Sequence, residues 1–250
     1  KSYNFLSYSQ YWAFPFCQNF SETQLFARVV TKNKAYVIHN QNDMTRLVEE
    51  SNLNQSGEDN KLDYLTPKVQ QPLRSSHIKN MVQSETYNNY KQHPQIASTE
   101  MSEVDVLFVY NQAASELYNN KIQTRINHLV AVTNQIYLDS QVYITLRAVS
   151  SMKIDYEVDV DSSAALTDIT YSTDSNFTLV RNNRVESGAD LVVFLRPYAN
   201  DGYCGIAWLN GANGNLGNSS SHMYSHTSID CSDYVNAHEI GHNLGLAHSR

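Results

Sequence analysis

Between residues 104 and 198 two kinds of apolar pattern alternate, and that alternation restricts the fold more than any other feature of the chain. "VDVLFVY" (104–110) is a continuous, β-branched apolar run of strand length, the pattern of a strand buried on both faces. Ile122, Ile126, Leu129, Val130, Val132 and Ile136 then fall mostly on one stripe of a long helix. "QVYITLRAVSSMKI" (141–154) reads as a second strand, alternating at Val142, Ile144 and Leu146. Asp161 opens a helical stretch through Ala164, Leu166 and Ile169, and "ADLVVFLRPY" (189–198) is a third strand. Strands joined by helices run parallel, because a parallel pair needs a long crossover. "GIAWLN" (205–210) is a shorter strand, "GANGNLGNSSS" a flexible loop, and "HMYSHTSI" (222–229) a fifth strand, before a final helix that begins near Ser232. The expected class is α/β (α+β), with a mostly parallel, five-stranded twisted sheet.

That final helix carries "HEIGHNLGLAH" (238–248). His238 and His242 are four apart, so a helix sets both imidazoles on one face, where a single metal ion can meet them. Ala237, Ile240, Gly241 and Leu244 form the apolar stripe that packs the same helix onto a sheet. Gly245 falls where a helix should end, since glycine accepts the left-handed conformation of a helix stop. The chain can then turn and bring back His248 as a third ligand. Three nitrogen ligands leave one of zinc's four tetrahedral positions open for water, as in a catalytic rather than a structural site. Glu239 adjoins the first ligand and is suited to take a proton from that water. The competing explanation, a helix with surface histidines, must account for a glutamate, a terminating glycine and a third histidine all in register.

"HEIGHNLGLAH" matches the extended HExxHxxGxxH pattern of the metzincin clan of zinc endopeptidases. The Asn243–Leu244–Gly245 run resembles the reprolysin-like branch and the secreted bacterial peptidyl-Asp metalloendopeptidases similar to it. Ser249 departs from the Asp usual in reprolysins after the third histidine. The resemblance spans about residues 104–250 and implies a catalytic domain over 99–250, preceded by a small α+β pro-region over 1–98. It implies one catalytic Zn2+ on His238, His242 and His248, with Glu239 as general base. It also implies that "GIAWLN" is an antiparallel edge strand binding substrate by strand addition through Gly205, Ile206, Ala207 and Trp208; an ordinary core strand is the alternative. Relatives often hold the pro-region on zinc through a cysteine thiolate, for which Cys17 in "FPFCQNF" is the candidate, against a buried structural thiol. The clan continues past the third histidine into a lower subdomain with a methionine turn. None of the five methionines follows the motif, so only the upper subdomain is expected here.

Residues 1–100 carry other signals. "TQLFARVV" and "KAYVIHN" read as two strands around "TKNK", "NDMTRLVEES" as a short helix, and the polar stretch between about 85 and 103 as a linker. Of the three cysteines, Cys204 and Cys231 flank one loop and form the natural disulfide, against two buried free thiols. Pairing favours export; Lys1 in place of Met implies an upstream segment that was removed or is not included in this sequence, and with a removed signal peptide as that segment a secreted protein is expected.

Net charge is −7, and it is uneven: residues 1–100 hold 10 basic against 9 acidic side chains, the rest 8 against 16. An acidic surface repels phosphate backbones, which excludes nucleic acid as a partner. No apolar run reaches membrane-spanning length. His222 and His226 stand four apart in a strand-like stretch, where that spacing is not one face, and are expected to be surface histidines. His39, His77, His93 and His128 show no obvious partners. The expected partners are a protein or peptide substrate and the chain's own pro-region as intramolecular inhibitor. The alternative is a non-catalytic binding or adhesion protein on the same scaffold, which would have no need of Glu239. A zinc amidase acting on something other than protein is a third reading.

Overall fold

The computed structural model describes residues 3–6, 16–21, 24–30, 34–41, 44–49, 51, 62–67, 101–211 and 219–248. The first described part is an antiparallel sheet of β1 (Tyr3–Leu6), β2 (Phe16–Ser21), β3 (Gln24–Val30), β4 (Ala35–Gln41) and β5 (Met44–Glu49), in that spatial order. The strands expected on either side of "TKNK" are β3 and β4. The helix expected over "NDMTRLVEES" is instead β5, which pairs antiparallel with β4 from Gln41↔Met44 to Tyr36↔Glu49. Local helix signals there yield to a hairpin partner, since strand preference is decided by the neighbouring strand more than by propensity. The expected 85–103 linker lies outside the described residues up to 100.

A two-residue strand, β6 (Tyr64–Leu65), is followed by the larger unit. It comprises β7 (Ser102–Tyr110), α1 (Gln112–Leu117), α2 (Ile122–Asp139), β8 (Ile144–Lys153), α3 (Ser162–Tyr171), α4 (Ser175–Ser187), β9 (Leu191–Arg196), β10 (Gly205–Trp208), β11 (Tyr224–Ser228) and α5 (Val235–Asn243). The sheet order is β6-β10-β11-β9-β7-β8. β7, β8, β9 and β11 run parallel, and β10 is antiparallel to β11. These are the five expected strands; β6, contributed by the N-terminal part, adds a sixth at the β10 edge, parallel to it.

The buried middle of β7 (106–109) and most of β9 (191–195) are apolar at every position because both faces are covered. Val106 and Phe108 of β7 join Leu191, Val193 and Leu195 of β9 in a core with Ile126, Leu129 and Ile240 of α2 and α5. Leu107, Val109, Val192 and Phe194 point the other way, onto Leu166, Ile169, Phe177 and Val180 of α3 and α4. Each such side chain contributes about 1.5–3 kcal/mol relative to exposure. α4 escapes the sequence pattern because only Phe177 and Val180 of its 13 residues are buried. It is marked instead by its ends: Asp174 accepts from the Asn176 N–H, and Gly188 closes it at φ +69°.

The N-terminal sheet lies on α2 through β2 and β3. Phe26 of β3 is fully buried there, its ring 5.6 Å from Tyr118 and 5.7 Å from His128. No helix among the described residues is long and apolar enough to cross a membrane.

Candidate metal centre

Three sets of contacts fix α5, all of them buried. Before its first turn, Asp233 accepts from Arg125 Nη1 at 2.5 Å and pairs with His128 Nε2 at 2.8 Å. Burial opposes that carboxyl's charge, yet Arg125 and then His128 outweigh it and hold its pKa far below the usual range. Along the helix, the Asn236 amide donates to Thr133 Oγ1 and the Tyr137 hydroxyl to the Ala237 carbonyl. At the far end, the Asn243 amide donates to the carbonyls of Trp208 on β10 and Tyr224 on β11. His128 therefore has a partner, one that a separation of 105 positions hid from the sequence.

The helix stops as a glycine stop does. Gly245 sits at φ +96°, its N–H bonds to the His242 carbonyl, and the Leu246 N–H bonds back to Gly241. That turn carries the chain round so that His248 faces the helix. It also places the Leu246 carbonyl 2.6 Å from His242 Nδ1, which donates to it and leaves the Nε2 lone pair facing inward.

The three imidazoles converge. His238 Nε2 lies 3.0 Å from His242 Nε2 and 3.1 Å from His248 Nε2. A fourth group joins them, one the sequence reading missed: Asp63, the residue before β6. Its Oδ2 is 3.1 Å from His238 Nε2, and its Oδ1 is 3.1 and 2.9 Å from those of His242 and His248. Burial raises the Asp63 pKa, but hydrogen bonds to His238 and His242, with the nearby charges of His238 and His248, bring it well below normal. The Tyr64 ring covers the group, 5.0 Å from His242 and 5.7 Å from His248. Nothing in "KLDYLTPK" marks Asp63 as a ligand; only the pairing of β6 with β10 brings it there.

The donor set fits a metal ion. Nitrogen ligands about 2.0–2.1 Å from a tetrahedral zinc stand roughly 3.3 Å apart, close to the spacing here. Imidazole nitrogens and a carboxylate are the ligand types such an ion takes. Asp63, His238, His242 and His248 are the group of this kind found among the described residues, their donor atoms all within 4.8 Å of one another.

Glu239 stands beside this group, 1% exposed, with Oε2 lacking a hydrogen-bond partner. Burial, and after it the Asp63 charge, push its pKa well above normal. It lines a cavity of about 110 Å³ together with Asp63, His238, Gly205, Cys204 and Tyr234. Cys204 and Cys231 form a disulfide with Cα atoms 5.8 Å apart, so the residue before β10 is bonded to the loop leading into α5.

The remaining predicted residues fall elsewhere. Ile206 and Trp208 turn their side chains into the core, and Trp208 Nε1 donates to Thr170 Oγ1 at 2.8 Å. The β10 backbone faces β6 instead: the Ala207 N–H bonds to the Asp63 carbonyl and the Leu209 N–H to the Leu65 carbonyl. Cys17 lies in β2 opposite Arg28 of β3, and its side chain is outside the described residues. His222 and His226 are not surface histidines. His222 Nε2 meets the Tyr171 hydroxyl at 2.6 Å, while His226 is fully buried on β11, where burial and then Arg196 lower its pKa well below normal. A strand between two covered neighbours buries its polar residues too.

A mostly parallel sheet with an antiparallel edge, underlain by a helix that brings two histidines to a third histidine with a glutamate beside them, defines an α/β domain with a candidate metal centre. Residues 104–250 match the metallo-peptidase family M12B, reprolysin-like, and the chain belongs to that family. It is 32% identical over 155 residues to a peptidyl-Asp metalloendopeptidase of Pseudomonas aeruginosa, covering 58% of this chain and 25% of that protein. To one of Stenotrophomonas maltophilia it is 29% identical over 156 residues, covering 62% and 36%. The chain thus spans between a quarter and about a third of the length of these curated relatives. The fold is similar to that of metalloproteinase-II from Bacteroides fragilis, with TM-score 0.54 and 13% identity, over 99% of this chain and 77% of that one.

Proposed function

We propose that this chain is part of a secreted zinc endopeptidase, with Glu239 as general base and the N-terminal residues as a pro-region that keeps the site closed. The observation that carries the reading is the convergence of three histidine Nε2 atoms beside a buried carboxylate whose Oε2 has no hydrogen-bond partner. His238, His242 and His248 would hold a zinc ion, which would supply an acidified water and positive charge for the developing oxyanion. Glu239 takes the proton of the attacking water and returns it to the leaving amine nitrogen. The β10 backbone holds an extended peptide by strand addition. The disulfide favours an oxidising, extracytoplasmic compartment. The names of the relatives extend the proposal to peptide bonds beside aspartate.

In the closed form, Asp63 stands among the histidines, and β6 fills the β10 edge. β6 runs parallel to β10, whereas the substrate is proposed to add antiparallel, so the β6 backbone meets the site in reverse order. We place the division between pro-region and catalytic domain at 98/99.

The test uses the full-length protein. Asp63→Ala is expected to raise hydrolysis of an unfolded protein before any processing. Glu239→Ala is expected to keep about one zinc per chain and to lose turnover by about 10²-fold or more. Equal turnover in wild type and Glu239→Ala would remove the base from the proposal; unchanged latency in Asp63→Ala would remove the closure.

A further inference from the structure

Glycine inside a strand weakens it, so a glycine at the start of a short, fully buried strand calls for a reason. At Gly205 the reason is not backbone conformation, because its φ is not among the positive values in this chain. The reason is what lies against it. A Cβ placed on Gly205 would come within 2.6 Å of Cγ and Cδ of Glu239, and nearer still to Oε1. Carbon atoms not bonded to each other do not approach so closely.

We propose that Gly205 is a positioning residue: the lack of a side chain at this point of β10 is what lets the Glu239 carboxylate lie against the strand, beside the three histidines. The strand cannot simply move aside to admit a methyl group. Its start is tied through Cys204 to Cys231, and its end is held to α5 by the Asn243 amide on the Trp208 carbonyl. The helix cannot retreat either, since Asp233, Asn236 and Ala237 are bonded to α2. With both walls fixed, the carboxylate is the part that must shift, while the histidines keep their places. The kinetic consequence rests on the proposed role of Glu239 as base; the steric relation does not.

The experiment is a cycle of Gly205→Ala and Glu239→Ala in the full-length, zinc-loaded protein, read by zinc content, unfolding midpoint and steady-state kinetics. Gly205→Ala is expected to retain about one zinc per chain. Its kcat should fall about 100-fold, as a displacement near 1 Å can cause, with KM changed only a few-fold because the strand's N–H and C=O groups are untouched. Its midpoint should fall by about 2–12 °C, the range for overpacking in a domain of this size. In the Glu239→Ala background the same substitution should leave the midpoint unchanged or raise it, because the obstacle is gone and a strand glycine has been replaced. That reversal of sign is something a general weakening of β10 would not produce. Equal midpoint shifts in both backgrounds, or wild-type kcat in Gly205→Ala, would overturn the proposal. Should Glu239→Ala alone prove fully active, the base role would fall, and the midpoint comparison would still decide the steric relation.

Discussion

Replacing Asp233 by Asn keeps the side chain's shape and removes its charge, which isolates the electrostatic anchor of the metal-binding helix. The carboxylate is 1% exposed, Arg125 4% and His128 0%, so water cannot take over its role. Arg125 keeps its bonds from Nε and Nη2 to the Ile229 carbonyl, at 3.3 and 2.9 Å, but that oxygen carries no net charge. Removing one partner of such a buried pair costs about 3–5 kcal/mol. Asn still offers one acceptor oxygen, so the lower end, about 3 kcal/mol, is expected, equivalent to a midpoint lowered by about 6–12 °C. Chemical denaturation of wild type and Asp233→Asn at neutral pH measures it directly. Acidification gives a second reading. The folded pKa of Asp233 is depressed, so its stabilisation is complete above the unfolded value near 4 and is lost as pH falls from there toward the folded one. The gap between wild type and variant should therefore be constant above about pH 5 and narrow below about pH 4. Adding Arg125→Met to Asp233→Asn should recover part of the loss, since no unpaired charge then remains buried. A difference under about 1 kcal/mol at pH 7, or a gap that widens in acid, would refute the anchor.

Two further outcomes are expected. Gly245→Ala should destabilise by about 1–2 kcal/mol, because φ +96° is strained for any side chain and the new Cβ would stand 3.2 Å from the Asn210 carbonyl oxygen. Zinc titration should show weaker binding in that variant, since the turn after α5 sets both His248 and the Leu246 carbonyl on His242. Cys231→Ser should cost about 3–4 kcal/mol, as expected for a disulfide closing 27 positions, measured by denaturation without reductant.

The strand–helix alternation made most of the larger sheet legible, because the stretches 106–109 and 191–195, covered on both faces, are apolar at every position. "VDVLFVY" and "LVVFL" could be little else. The histidine spacing was legible for a related reason: residues four apart on a helix share a face wherever that helix lies. Three things were not legible. β5 looked helical because its strand character comes from pairing with β4, which no local window contains. α4 was silent because it buries only two apolar side chains. Asp63 was missed because it reaches His238 across 175 positions, through a strand only two residues long. His128 and His226 were misjudged for the opposite reason: a polar residue on the covered face of α2, or inside the covered strand β11, gives no apolar signal, yet is buried with its neighbours.

The contacts between α2 and α5 have a consequence for how the metal site assembles. Arg125–Asp233, His128–Asp233, Thr133–Asn236 and Tyr137–Ala237 join positions 108, 105, 103 and 100 apart, stepping along both helices in the same direction. Whichever forms first bears the entropy of closing a loop of about a hundred residues, roughly 4 kcal/mol from the logarithmic term alone. Each later one closes only the few residues between rungs. A zipper of this kind has no comfortable halfway position, so the start of the histidine-bearing helix seats on α2 through all of these contacts together or stays away.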